Sequence, residues 1–218
     1  MLRLMKKFSF WYLLYPGLLL AFGLPMFNHD RLVGPNPLSL SFAIYLAPMI
    51  WLVLGAMWSH EQMESKANGY QFLRLLPIKP AQIVKAKFAM VFIAVMIYVV
   101  GCCIAFALVS TDPQYLIPSC AYLIVYGNIC LIVAALLYLG ILKHGFSRFG
   151  KYVLIAWVVL LTSPLPIRIF ILKPRGISDA EIMQFFRGPY WILFTIICLA
   201  CYYFLMKLGS KKLKERYA

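Results

Sequence analysis

Long apolar runs divided by short polar breaks constrain this chain more than any other feature it has. A helical run of about twenty apolar residues is as long as the hydrocarbon core of a bilayer is thick. Six such runs are read, at 8–27, 39–59, 88–109, 118–142, 152–172 and 189–206. No water at that depth can satisfy a backbone N–H or C=O, so each run is expected to be a helix that satisfies its own. Composition agrees: 63% of the 218 residues are hydrophobic, 13% are charged, and the mean hydropathy is +0.83. A soluble domain of this size could not cover that much apolar surface with so few polar groups. The expectation is an all-α polytopic integral membrane protein, a single transmembrane domain over 1–218 with six transmembrane helices.

The first run follows a basic start, MLRLMKK, which also suits a secretory signal. It is twenty residues long, carries Trp11, Tyr12 and Tyr15, and lacks a small-x-small cleavage site, so it reads as a retained span. Pro35 and Pro37 mark the loop after it, and a short loop is expected at 110–117. Pro118 suits the first position of the fourth helix. Residues 143–151 read as a basic loop, and Pro164 and Pro166 disturb the far end of the fifth span.

The net charge of +14 resembles a nucleic-acid signature until the charges are placed. They sit between the apolar runs, where anionic headgroups and the rule that cations stay inside account for them. No soluble basic face remains for a nucleic acid. Of the 21 Lys and Arg, sixteen fall on the side that holds both termini and the 60–87 loop, and five on the other. That bias predicts cytoplasmic termini in the cell membrane. Trp58, Tyr190, Trp191, Tyr202 and Tyr203 lie near span ends, either as interfacial aromatics or packed inside.

What the spans lack also matters. As bounded above, none holds an Asp, Glu, Lys, Arg or His in its interior (Arg168 is at the end of the fifth), which disfavours a proton-coupled carrier. The six cysteines all lie in apolar runs, and Cys198 and Cys201 have C-x-x-C spacing without flanking charge or His; they read as small buried hydrophobes. His60-Glu61-Gln62-Met63-Glu64 is a zinc-helix pattern with its second His replaced, and His60 and Glu64 would share a face. No third ligand is evident, so a polar face at the interface is the plainer reading. Ser147 sits on no strand-to-helix elbow, and no phosphate-cradling glycine loop occurs anywhere. No catalytic, metal or cofactor-binding residue is expected.

The longest polar interruption is 61–87, EQMESKANGYQFLRLLPIKPAQIVKAK. Asn68-Gly69 loosens the backbone, after which residues 70–76 suit two helical turns with Gly69, Phe72, Leu73 and Leu76 on one side. Pro77 stops that helix and biases Leu76 away from helical geometry. Pro80 opens another that runs through Ile83, Val84, Lys85 and Lys87 into the third span. The first of these helices could carry a push or simply rest in the headgroups.

Glu64, Gly69-Tyr70, Leu73, Leu76-Pro77-Ile78, Ile83-Val84 and Ala86-Lys87 together resemble the loop between spans two and three of ATP-binding-cassette (ABC) transporter permeases of the type-2 exporter family. The likeness covers about twenty-five residues of that loop, and the six-span layout agrees over the whole chain. It implies that the loop is a cytoplasmic coupling helix that contacts a separate ABC ATPase subunit through Glu64, Gly69, Tyr70, Phe72, Leu73, Arg74, Leu76, Pro77 and Lys79. It implies also that a second permease subunit, identical or related, completes the pathway. Between spans five and six, Ser178 and Glu181 form a capping box ahead of Ile182, Met183, Phe185 and Phe186. The resemblance makes that short interfacial helix a lid; alone it reads equally as a surface turn.

The leading expectation is therefore an exporter permease, not itself an enzyme, with membrane lipid around it and an amphipathic cargo such as a peptide or lipid. The alternative is a membrane protein without transport, an immunity or scaffold protein, or a metallohydrolase using His60 and Glu64. The charge bias generates a test of orientation. Cysteines introduced at Asn68 and Ser210 should resist an impermeant thiol reagent in intact cells, and one at Asp112 should react; labelling at Asn68 would reverse the topology.

Overall fold

The computed structural model describes residues 49–55, 57, 58, 61, 62, 65, 79–109, 113–162, 181, 184 and 186–217. Among them there is no strand. A π-helical turn, Trp51–Gly55, follows the helical residues Met49 and Ile50. Four long helices follow: α1 Pro80–Val109, α2 Pro113–His144, α3 Phe146–Thr162 and α4 Tyr190–Tyr217. Three stretches are long and apolar enough to cross a membrane, Ala81–Leu108, Leu116–His144 and Tyr190–Glu215. The first span and most of the second lie outside the described residues.

α2 is the central element. Of its most apolar window 61% is buried, against 29% in α1 and 11% in α4, so the others are arranged around it. α1 packs on α2 through a stripe at Val84, Phe88, Val91, Val95, Val99, Cys102 and Phe106. These steps of three and four follow one helix face. The π-helical turn buries Leu52, Val53 and Leu54 and packs against α1, α2 and α3. Outward-facing Ile97, Ile104, Leu136, Ile155, Ile196 and Phe204 are exposed, as suits helices whose outer surface meets lipid.

Polar groups between the helices bond one another. Asn128 Nδ2 donates to Thr195 Oγ1 at 2.9 Å, and that hydroxyl donates to the Trp191 carbonyl at 2.8 Å, joining α2 to α4. The Tyr126 hydroxyl donates to the Leu160 carbonyl and joins α2 to α3. Such bonds each contribute about 1 kcal/mol between helices in lipid.

One expected boundary holds and three move. The third helix starts at Pro80, as expected, and runs on without a break into the apolar span from residue 88. The fourth starts at Pro113, with Pro118 inside it. Pro113 takes the position where a missing N–H costs nothing, and Pro118 lacks only one bond, near the helix start.

The basic loop at 143–151 is almost absent: Gly145 alone separates α2 from α3. Its φ of 83° is open to glycine at little cost. Its N–H caps α2 by donating to the Ile141 carbonyl at 2.7 Å, and its carbonyl accepts from Phe149 N–H at 3.2 Å to begin α3. The tail is also helical, to Tyr217, because Leu213 is fully buried and Lys212 bonds Glu215 at 2.9 Å.

The α2–α3 turn depends on Gly140, where an added Cβ would lie 2.1 Å from the Phe149 ring. Phe149 is in turn stacked on His144, with ring centroids 6.0 Å apart. Gly140→Ala should destabilise by about 1–3 kcal/mol through overpacking. Gly101→Ala, whose Cβ meets nothing within 4 Å, should melt with the wild type. Thermal unfolding of the purified protein in detergent compares the two.

Candidate functional site

The described residues converge at the roots of the polar stretch. Lys87 Nζ donates to Glu61 Oε1, an ion pair between residues 26 apart in sequence. Glu61 is 0% and Lys87 5% exposed, so both charges have left water. The carboxylate comes from the helical segment after the π-helical turn, and the ammonium from the third turn of α1.

Lys87 is buried because of its register. It lies on the face of α1 that carries Val84, Phe88 and Val91, so the packing that buries those side chains takes the lysine in with them. An ammonium there is tolerable only with an anion beside it. The ring of Tyr138, 5.8 Å from Nζ, lies on a further side.

An aromatic cluster extends from the pair. Phe88 stacks on Tyr138 at 5.9 Å and tilts against Tyr202 at 5.3 Å. The Tyr202 hydroxyl donates to the Phe88 carbonyl at 2.7 Å. One turn of α1 is thereby fixed to α2 and α4 at the level where its apolar run begins. On the Glu61 side, Trp58 meets Phe146 edge-on at 5.0 Å and ties the segment before the ion pair to α3.

The start of α1 is defined by its own bonds. The Lys79 N–H donates to Gln82 Oε1 at 3.3 Å, the return half of a capping box, and Gln82 N–H donates to the Lys79 carbonyl at 2.8 Å. Lys79 is exposed. Of the other expected contact residues, Glu64, Gly69, Tyr70, Phe72, Leu73, Arg74, Leu76 and Pro77 lie outside the described residues, as does His60.

At the opposite end, Ser178 and Phe185 are also outside them, Glu181 is exposed, and Phe186 is buried edge-on against Tyr122 with centroids 5.4 Å apart. That contact attaches the segment before α4 to α2.

In sequence Glu61 and Lys87 stand as loop charges, and their pairing emerges only in the fold. The signal was available: Lys87 is a lone cation on an apolar stripe, and such a residue requires a carboxylate from elsewhere in the chain. Glu61 could not be singled out among seven acids, because which of them reaches Lys87 depends on how span two packs against α1.

These features define a multi-pass helical membrane protein whose longest polar stretch is closed at its base by a buried ion pair. The family model described as ABC-2 family transporter protein matches residues 2–211, and the chain belongs to that family. No curated protein and no solved structure matches it. The family is the transmembrane component of an ABC transporter and not its ATPase, and it has an ABC ATPase as its general partner.

Removing one partner of the pair should cost about 3–5 kcal/mol, because the other charge stays buried without its counter-ion. Glu61→Gln and Lys87→Met should therefore each lower the unfolding temperature in detergent. The double variant should regain most of the loss, since no charge is then left stranded. Losses that simply add in the double variant would show that the two side chains act independently.

Proposed function

We propose that the chain is the permease subunit of an ABC exporter, pairing with a second permease to form the pathway and driven by a separate ATPase subunit. The observation that carries this reading is the family match over residues 2–211, which includes the whole polar stretch. In this reading the 61–87 loop faces the cytoplasm with both termini, and its helix at 69–76 is the coupling helix. Phe72, Leu73 and Leu76 enter a cleft on the ATPase, with Glu64, Gly69, Tyr70 and Pro77 shaping the approach and Arg74 and Lys79 at the rim.

ATP closes the ATPase dimer, and the coupling helices move with it. The Glu61–Lys87 pair holds the two roots of the loop together, so a displacement is passed to span two and α1 jointly. Without that link, the same displacement would be absorbed as the roots separate. The aromatic contacts of Phe88 then involve α2 and α4 in the movement. The spans reopen outward, beneath a lid formed by the segment that contains Ser178, Glu181, Phe185 and Phe186. Spans with so little charge suit an amphipathic cargo, a peptide or a lipid.

An aliphatic anchor seated in an interface contributes a few kcal/mol, whereas rim charges contribute less. Leu73→Asp should release or uncouple the ATPase while the permease still inserts. Pro77→Ala should act more mildly, by letting the helix run on and misaiming the anchor. Copurification of the ATPase and cargo-stimulated ATP hydrolysis measure both effects. Wild-type values for Leu73→Asp would remove this loop from the transmission.

A further inference from the structure

α4 carries one surface that the permease reading leaves unused. Leu193, Ile196, Ile197, Tyr203 and Phe204 follow one another at helical spacing and are all exposed, Phe204 to 61%. The same stripe continues in register as Lys207, Lys211 and Lys214, also exposed. The junction is built: Lys207 Nζ lies 4.8 Å from the centroid of the Tyr203 ring. The opposite face is fixed, with Leu213 fully buried and the Gly209 backbone close to Val84 and Leu139. The lysines are thus held outward on a rigid helix.

We propose that this face of α4 binds an anionic phospholipid, with the acyl chains along Leu193–Phe204 and the phosphate held by the row Lys207, Lys211 and Lys214. The depth agrees. Tyr202 bonds the Phe88 carbonyl, where the apolar run of α1 begins, so the residues just after it lie at the edge of the hydrocarbon. A headgroup layer is about 5–7 Å deep on each side. Lys207 lies about 7.5 Å beyond Tyr202 along the axis and Lys211 about 6 Å further, so Lys207 stands at the level of the phosphates and Lys211 reaches back toward them through its flexible stem. Lys214, about 10 Å beyond Lys207, adds its charge to the row from within about one Debye length.

Charge favours lipid over the other candidate occupants. Among the described residues, Glu215 is the one exposed carboxylate at this end, and the hydrogen bond from Lys212 holds it below the usual carboxylate range. A second copy meeting this face through its own α4 would set one lysine row against another, which like-charge repulsion opposes. A soluble acidic protein would answer the lysines but could not continue along the stripe below them, which lies at the depth of the acyl chains. A phospholipid answers both along a single line.

The test uses the full chain, purified in detergent, with phosphatidylglycerol and phosphatidylcholine as probes and native mass spectrometry as readout. The wild type should retain phosphatidylglycerol preferentially. A lysine at an anionic surface contributes about five-fold in binding, so Lys207→Gln, Lys211→Gln and Lys214→Gln combined should bring the preference close to one. The corresponding Arg variant should keep it. Lys85→Gln, Lys143→Gln and Lys151→Gln combined remove the same charge from exposed positions at the same end and should leave the preference intact. Equal loss in both Gln variants would reduce the effect to net charge and overturn the site. So would equal retention of the two lipids by the wild type, or an unchanged preference when the row is removed. A disulfide joining two copies in the membrane through a cysteine at Phe204, with native cysteines replaced, would assign the face to a second chain and overturn it too.

Discussion

An ammonium and a carboxylate taken out of water together are the constraint on which the basic end of this protein depends. Each ion alone would cost several kcal/mol to bury, so neither Glu61 nor Lys87 can occupy its place without the other. The pair therefore fixes the register of the segment after the π-helical turn against α1. A sliding apolar contact would not do this, because one aliphatic side chain replaces another at little cost. The π-helical turn just before it widens the helix by one residue and sets the phase in which Glu61 emerges.

Helix length gives the second constraint. α1 and α4 have 30 and 28 residues, about 45 and 42 Å. The hydrocarbon core is only about 30 Å deep, so both helices project from it. Contacts at the basic end show that they project together: Gly209 of α4 lies against Val84 of α1, and Tyr202 bonds Phe88. The projecting ends form a helical stem continuous with the spans. A stem of this kind holds the ends of α1 and α4 in a fixed relation, which an unstructured segment at the same place would not.

The membrane class and the helical character were legible from the apolar runs alone, since only helices or closed barrels satisfy a backbone in lipid. Helix ends were less so, because hydropathy marks where lipid ends and not where hydrogen bonding does. Lys143–Lys151 looked like a loop for its charge, yet Arg148, Lys151 and Tyr152 simply form the exposed face of an amphipathic helix. Gly145 and Gly150 both signalled a break there, and the chain breaks only at the first. The tail was read the same way, although Gly209 and Leu213 at i, i+4 among lysines already gave it a buried side. Of the candidate site, the location of the polar stretch was readable and the ion pair at its base was not. Periodicity shows which face of a helix is buried but not which distant residue lies opposite it.

Those two kinds of information meet at Phe88. Its side chain belongs to the buried stripe and was foreseeable; its carbonyl, held by Tyr202, was not, because α2 begins 25 residues and α4 more than 100 residues later. The backbone of Phe88 also follows Lys87 directly, so the ion pair and the Tyr202 bond act on consecutive residues of one helical turn. Rotating that turn to release the lysine would turn the Phe88 ring out from between Tyr138 and Tyr202. The electrostatic and aromatic contacts therefore form or break together. A unit of this composition joins α1, α2 and α4 at the base of the polar stretch, so that none of the three can turn there without disturbing the other two.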